Sequence, residues 1–273
     1  MGEQSATRIK GDDYQHLYSW FELLSILDHH SPYDYGFVEH PAAGAADDVT
    51  LHSQLRLAPS KYVQVKFHVD QRRQYSSRSL IWTGWGNNRS LLSQLFASWR
   101  KLRSHGEDPE IWLVSNWSST TEMGRFILDS CCLSDDFHDG GLRSEAGKIR
   151  KSWHKHLDCP TEQFAPFCKA LRLRLGFAGL SELKEKVNDR MGRHGLVTGE
   201  GAQALALDTV RSWIKQGGMG KRVDRASLRA RIRERGLSGT LHARCAAPSL
   251  WTHRHISESG DYSLEQDWAN DRQ

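Results

Sequence analysis

Two short segments in which apolar and polar residues alternate constrain the fold of this 273-residue chain more than any other feature. The apolar positions are Val49, Leu51, Leu55 and Leu57 in the first segment, and Val63, Val65 and Phe67 in the second. Alternation with a period of two is typical of β-strands that bury one face. The short turn at residues 58–60 predicts an antiparallel hairpin in which Lys66 lies opposite residues 50–52.

Helical periodicity surrounds this hairpin. An amphipathic helix is predicted from Asp12 or Asp13 to about Asp28, because its apolar residues recur at helical spacing. Further along we predict a helix over 89–103, a buried strand over 110–116 and a helix near 122–132. From Leu142 onward, helices are predicted near 143–157, 161–175, 181–193, 201–216 and 224–235. The pattern predicts an α/β fold with a mixed sheet over 1–141, a helical extension over 142–240 and a polar tail or linker over 241–273.

Composition sets limits on location and partners. The chain has no run of about 18 apolar residues, so we expect no membrane span. Its N-terminus lacks the apolar region of a signal peptide, which favours the cytoplasm. The five cysteines include no CxxC pair and fit reduced thiols better than a disulfide framework. A net charge of +4 permits a nucleic-acid partner without demanding one.

The polar residues of the hairpin have the chemistry of a phosphodiesterase site. Such a reaction needs a cation on the phosphate, an activated water and a positive group near the developing charge. Asp48 begins the first strand, and Gln64 and Lys66 share the polar face of the second because they are two residues apart. Mg²⁺ prefers the oxygen ligands that such a carboxylate supplies. The basic loop that carries Arg72, Arg73 and Arg78 follows directly and is a candidate for contact with nucleic-acid phosphates.

Several segments together resemble a known family. GDDYQ at 11–15, VEHPAAGAADDV at 38–49 and VQVK at 63–66 are similar to the double-stranded DNA endonuclease domain of bacterial anti-phage effectors. That domain belongs to the PD-(D/E)xK, restriction-endonuclease-like superfamily. The resemblance is densest over residues 8–70, and it implies a restriction-endonuclease-like mixed-sheet core.

The resemblance also implies roles for individual residues. Asp48 would bind the metal, Lys66 would be the catalytic lysine, and Gln64 would offer a neutral oxygen at the (D/E) position. Glu22 would be the acidic residue of the first helix, and Gln15 would line the site. Two alternatives stay open, because Asp47 could replace Asp48 as metal ligand and Glu39 is a second candidate acid. The implied cofactor is Mg²⁺, with Mn²⁺ as an alternative.

The function expected on these grounds is metal-dependent cleavage of double-stranded DNA with little sequence specificity, as the effector of an anti-phage system. Unregulated cleavage would harm the host, so the resemblance implies control by a sensor or ATPase module through homo-oligomerisation. Two alternatives compete with this expectation. One is a non-catalytic DNA-binding or assembly module on the same fold, and the other is a nuclease directed at RNA.

Overall fold

A computed structural model describes residues 2–70, 72–83, 89–216 and 222–239 of the chain. Its strands are β1 (Tyr35–Val38), β2 (Val49–His52), β3 (Ser60–Lys66), β4 (Pro109–Ser115), β5 (Leu171–Leu175) and β6 (Arg222–Asp224). They form one mixed sheet in the order β5-β4-β3-β2-β1-β6. The pairs β3–β4 and β4–β5 are parallel, and the other neighbouring pairs are antiparallel.

Helices precede, separate and follow the strands. They are α1 (Gly2–Leu23), α2 (Ser77–Leu80), α3 (Leu91–Ser104), α4 (Thr121–Gly124), α5 (Asp135–Asp139), α6 (Glu145–Leu157), α7 (Thr161–Ala170), α8 (Leu180–Arg193), α9 (Glu200–Lys215) and α10 (Arg225–Glu234). Side chains with an oxygen acceptor fix several helix starts. The Ser90 hydroxyl accepts from the backbone N–H of Ser93 at the start of α3, and Asp224 caps α10 in the same way through Ser227.

Apolar side chains cover both faces of the sheet. Helices α1, α8 and α9 contribute to one core, in which Leu17, Val63, Val65 and Val210 are fully buried. Helices α3, α6 and α7 contribute to the other core. The prediction that β3 buries only one face, that of Val63 and Val65, is therefore wrong. Tyr62 belongs to the α3-side core, and Tyr62 and Gln64 are only 1% and 5% exposed.

The hairpin between β2 and β3 differs from its predicted register. Strand β2 ends at His52, and Leu55 and Leu57, predicted to be buried, are 77% and 70% exposed. The segment 53–59 forms a loop instead, in which the backbone N–H of Gln54 donates to the carboxylate of Asp34. Thr50 consequently lies opposite Tyr62 rather than Lys66. The predicted register was wrong because the alternation of apolar and polar residues continues beyond the end of β2, into the loop that contains Leu55 and Leu57.

The predicted α/β class, with a mixed sheet and a helical C-terminal part, is confirmed. Strands β1, β5 and β6 were not predicted, and β5 replaces the end of the helix predicted over 161–175. Helix α1 begins ten residues or more before its predicted start, and the helix near 122–132 is reduced to α4. The predicted tail at 241–273 lies outside the described residues. Within the described part of the chain, no helix has both the length and the apolarity needed to cross a membrane.

Candidate active site

The carboxylate of Asp48 lies between β2 and β3, where the pairing of the two strands begins. Val49 is paired with Val63, so the preceding Asp48 stands opposite Gln64. One carboxylate oxygen, Oδ2, accepts a hydrogen bond from the Val65 backbone N–H at 2.6 Å and another from Gln64 Nε2 at 2.6 Å. The hairpin therefore brings Asp48 and Gln64 together, although through a register that the sequence did not predict.

Lys66 is the last residue of β3 and follows Gln64 by two positions. In the described residues, its ammonium group makes no hydrogen bond and no ion pair. Burial raises the pKa of Asp47 and of Asp48, and the positive charge of Lys66 lowers both pKa values in part. Lys66 thus influences two carboxyl groups electrostatically without forming an ion pair with either of them.

Glu39, Asp47 and Asp48 influence one another electrostatically. Burial and, to a smaller extent, the charge of Asp47 raise the pKa of Asp48 to about 7, against the lowering effect of the Val65 N–H. Burial raises the pKa of Asp47, and burial together with the charge of Asp47 raises the pKa of Glu39. Carboxyl groups in this situation ionise more readily when a cation is bound, because the cation stabilises their charged form.

Helix α1 contacts this site directly. Gln15 Nε2 donates to the carbonyl oxygen of Val65 at 3.2 Å, and Ser19 Oγ donates to the carbonyl oxygen of Asp48 at 3.1 Å. The structure therefore places Gln15 beside the residues it was predicted to accompany. Ser19 was not predicted, although its position four residues after Gln15 puts it on the same helix face.

The structure does not bring Glu22 to Asp48. Glu22 is 4% exposed, and both of its oxygens are engaged elsewhere. Oε2 lies 2.8 Å from Lys61 Nζ, while Oε1 accepts from the Tyr18 hydroxyl at 2.6 Å and lies 3.4 Å from Arg174 Nη1. Burial would raise the pKa of Glu22, but the charge and hydrogen bond of Lys61, with help from Tyr18 and Arg174, hold it at about 2.

The predicted substrate-binding arginines are exposed. Arg72 and Arg73 lie 3.6 Å and 3.9 Å from the Asp70 carboxylate, with side chains that are 96% and 75% exposed. Arg78 is exposed on α2. Exposed pairs of this kind are weak, so the two guanidinium groups can exchange Asp70 for another anion at little cost. None of the three contacts Asp48, Gln64 or Lys66, and their predicted role stays a prediction.

The connection from Lys66 to this basic loop is fixed by residues that the sequence reading missed. Asn116 accepts from the His68 backbone N–H at 2.9 Å and donates to the His68 carbonyl oxygen at 2.7 Å. The His68 ring stacks on Trp117 with 3.5 Å between centroids. The available signal was the alternation itself, because in the sequence it continues from Gln64 and Lys66 to His68.

The residues present fit a Mg²⁺ ion that takes most of its ligands from water and phosphate. In the described residues, no group of three His, Cys, Asp or Glu side chains is arranged to hold a metal. Asp48 Oδ1 accepts no hydrogen bond there, and Asp47 and Glu39 are the neighbouring carboxyls. Mg²⁺ commonly binds through one or two carboxylates and keeps several waters. Gln64 directs its NH₂ group at Asp48, so its predicted oxygen contact with the metal needs the amide to turn.

Comparison with known proteins gives one curated relative. The chain is 27% identical over 217 residues to CD-NTase-associated protein 4 of Enterobacter hormaechei subsp. hoffmannii (strain UCI 50). The match covers 72% of this chain and 42% of that protein, so the chain spans less than half of its relative's length. No protein-family model matches the chain.

Two solved structures show a weaker likeness. They are the Acinetobacter baumannii Cap4 receptor, which contains a SAVED/CARF domain, with the cyclic trinucleotide 3'3'3'-cAAA and without it. Each is 12% identical, and the match covers 82% of this chain and 46% of the solved chain. The TM-scores are 0.43 and 0.41.

These findings correct the family assignment made from the motifs. The relative found by sequence comparison is CD-NTase-associated protein 4, so the assignment to the PD-(D/E)xK endonuclease superfamily is wrong. It rested on short segments such as VQVK, and a lysine on the polar face of a strand is common by chance. The relationship to a CD-NTase-associated protein supports the predicted role in bacterial defence only at that coarse level. DNA cleavage stays a prediction.

Proposed function

We propose that this chain hydrolyses phosphodiester bonds of double-stranded DNA with the help of Mg²⁺, as part of a bacterial defence system. The observation that carries the proposal is the arrangement around Asp48. A carboxylate with a pKa of about 7 is fixed by the Val65 N–H and Gln64, next to Asp47. The charge of Lys66, whose ammonium has no hydrogen-bond or ion-pair partner in the described residues, lowers that pKa. This proposal rests on the geometry of these residues and not on the short motifs.

Each residue has a distinct part in the proposed reaction. Asp48, through its free Oδ1, and Asp47 or Glu39 would hold the cation, which supplies charge stabilisation at the phosphate and a more acidic bound water. Lys66 would stabilise the negative charge that develops on the phosphate oxygens in the transition state. Gln15 and Ser19 hold the backbone carbonyls of Val65 and Asp48, so they position the two ends of the site.

The curated relative supports a wider assignment. A relationship to a CD-NTase-associated protein supports a place for this chain in antiviral defence. Because unregulated DNA cleavage would harm the host, we propose that a sensor or ATPase module, in the same protein or in another subunit, controls the site through homo-oligomerisation.

A second candidate function is the binding of a cyclic oligonucleotide, the ligand named for one solved Cap4 receptor. It is separable from hydrolysis, because a binding module would shift its melting temperature with 3'3'3'-cAAA and leave DNA intact. A non-catalytic DNA-binding module would retain duplex DNA without cutting it.

Plasmid nicking tests the first proposal. Supercoiled plasmid is incubated with the chain and Mg²⁺, Mn²⁺ or a chelator, at protein concentrations that allow oligomers, and duplex RNA is offered in parallel. We expect metal-dependent nicking that falls by about 100-fold or more in Asp48→Ala and Lys66→Ala, the scale seen when one group that stabilises transition-state charge is removed. Lys151→Ala, an exposed lysine on α6, is the matched control. Equal cutting by all four proteins, or cleavage of RNA alone, would refute the proposal.

A further inference from the structure

A second concave region lies at the opposite end of β3 from Lys66. A cavity of about 570 Å³ opens beside Lys61, the second residue of that strand. Its cationic lining consists of Lys61, Arg174 and Arg190, and its acidic lining consists of Glu22 and Asp28. A volume of this size is typical of pockets for small ligands.

Of the two acidic residues, only Glu22 has cationic side-chain partners in the described residues. Lys61 and Arg174 contact Glu22, as described above. Asp28 Oδ1 lies 3.3 Å from Nε2 of His194, but burial lowers the pKa of this imidazole, so the contact supplies no positive charge at neutral pH. Arg190 makes no ion pair in the described residues, and its Nη1 donates to the carbonyl oxygen of Phe21 at 2.6 Å. Lys61 and Arg174 thus share the Glu22 carboxylate, whereas Arg190 pairs with no carboxylate in the described residues. The floor of the cavity carries unbalanced positive charge.

An adjoining cavity extends this charge. It has a volume of about 510 Å³, shares Asp28 and His29 with the first, and is lined by Arg193, Arg229 and Arg233. Among the residues that line this second cavity, Asp28 is the one carboxylate. These three arginines are exposed, and guanidinium groups are suited to phosphate oxygens, which they bind through paired hydrogen bonds.

We propose that the two adjoining cavities bind a small phosphate-bearing ligand, with Arg174 and Arg190 as its phosphate contacts. Burial favours a small ligand over a nucleic-acid backbone. In the first cavity, the side chain of the proposed contact Arg174 is 34% exposed. The neighbouring Lys61 is only 9% exposed and lies 4.3 Å from the centre of the Trp112 ring. A single phosphate group can enter such a cavity, whereas a rigid duplex contacts cations that project from the surface. The proposal does not depend on hydrolysis at Asp48.

Calorimetric titration with inorganic pyrophosphate at constant ionic strength tests the site. We expect saturable binding that NaCl of equal ionic strength does not reproduce, because screening alone does not depend on the anion's identity. Arg174→Gln and Arg190→Gln should each weaken binding by about 10-fold or more, since each removes a charge-assisted hydrogen bond. Arg143→Gln, on an exposed residue outside the cavities, should bind as the wild type does.

Folding and nucleic-acid binding are controlled separately. Arg190 also contacts the end of α1, so Arg190→Lys, which keeps the charge, should retain more binding than Arg190→Gln at equal thermal stability. The same variants are titrated with a short DNA duplex. The absence of saturable pyrophosphate binding, an equal loss in Arg143→Gln, or losses confined to duplex DNA would each overturn the proposal.

Discussion

Replacing Lys61 with alanine would leave the buried carboxylate of Glu22 with one cationic partner instead of two. Lys61 Nζ lies 2.8 Å from Glu22 Oε2, and the two side chains are 9% and 5% exposed. Removal of one partner from a buried ion pair costs about 3–5 kcal/mol, because the other charge stays desolvated. Arg174, 3.4 Å from the other oxygen, offsets part of this cost. We therefore expect the free energy of unfolding to fall by about 3 kcal/mol, the lower end of that range.

Urea unfolding of the wild type and Lys61→Ala measures this loss as a shift in midpoint at constant slope. Lys186→Ala is the matched control, since Lys186 lies 3.1 Å from Glu182 with side chains that are 37% and 54% exposed. Exposed pairs contribute about 0–1 kcal/mol, so the control should change the free energy of unfolding much less.

Equal losses in the two variants would refute the reasoning, because burial would then not determine the strength of the Glu22–Lys61 interaction. A double variant sharpens the test. Glu22→Leu combined with Lys61→Met removes both charges, and apolar replacements of a whole buried pair are often neutral or stabilising. The double variant should thus be more stable than Lys61→Ala. The loss of the contact between Arg174 and Glu22 offsets part of this gain.

Two further predictions concern the metal-free fold. The folded pKa of Asp48, about 7, lies above its ordinary value of 3.8, so the free energy of unfolding should fall as pH rises between those values and level off above them. Asp48→Asn should flatten that slope in urea titrations at each pH, and an unchanged slope would contradict the assigned pKa. Gly36→Ala should cost about 1–3 kcal/mol in thermal unfolding by overpacking, because a Cβ there would lie 2.4 Å from the Thr50 carbonyl oxygen. Gly11→Ala in α1, where a Cβ meets nothing within 4 Å, should instead raise the free energy of unfolding by about 0.5–1 kcal/mol. A change in the same direction for both variants would contradict the close packing around Gly36.

The sequence predicted the grouping of site residues better than their partners. Period-two alternation correctly placed Gln64 and Lys66 on one face of β3, because that relation depends only on neighbouring residues. The register was missed, since Leu55 and Leu57 continue the alternation after the strand has ended. The opposition of Asp48 and Gln64 depends on the loop that joins β2 and β3, which side-chain periodicity does not encode.

Glu22 illustrates a different limit. Its helix position was compatible with a role near Asp48, and nothing local indicated that Lys61 and Arg174 would bind it. Arg174 is 152 residues away in sequence, on a strand predicted as part of a helix. The LRLRL alternation of β5 was a usable strand signal, but it directly follows α7 and was absorbed into that helix.

The contacts of α1 give this helix the role of a rigid spacer. Ser19 and Gln15 touch one end of the β2–β3 pair, and Glu22 binds Lys61 near the other end. From Gln15 to Glu22 the helix rises by about 10 Å, because each residue adds about 1.5 Å. A shift of α1 along its axis would therefore disturb the Asp48 carbonyl contact and the buried Glu22 cluster together. The separation of the carboxylate site from the cationic cavity thus corresponds to the seven positions between Gln15 and Glu22 on one helix.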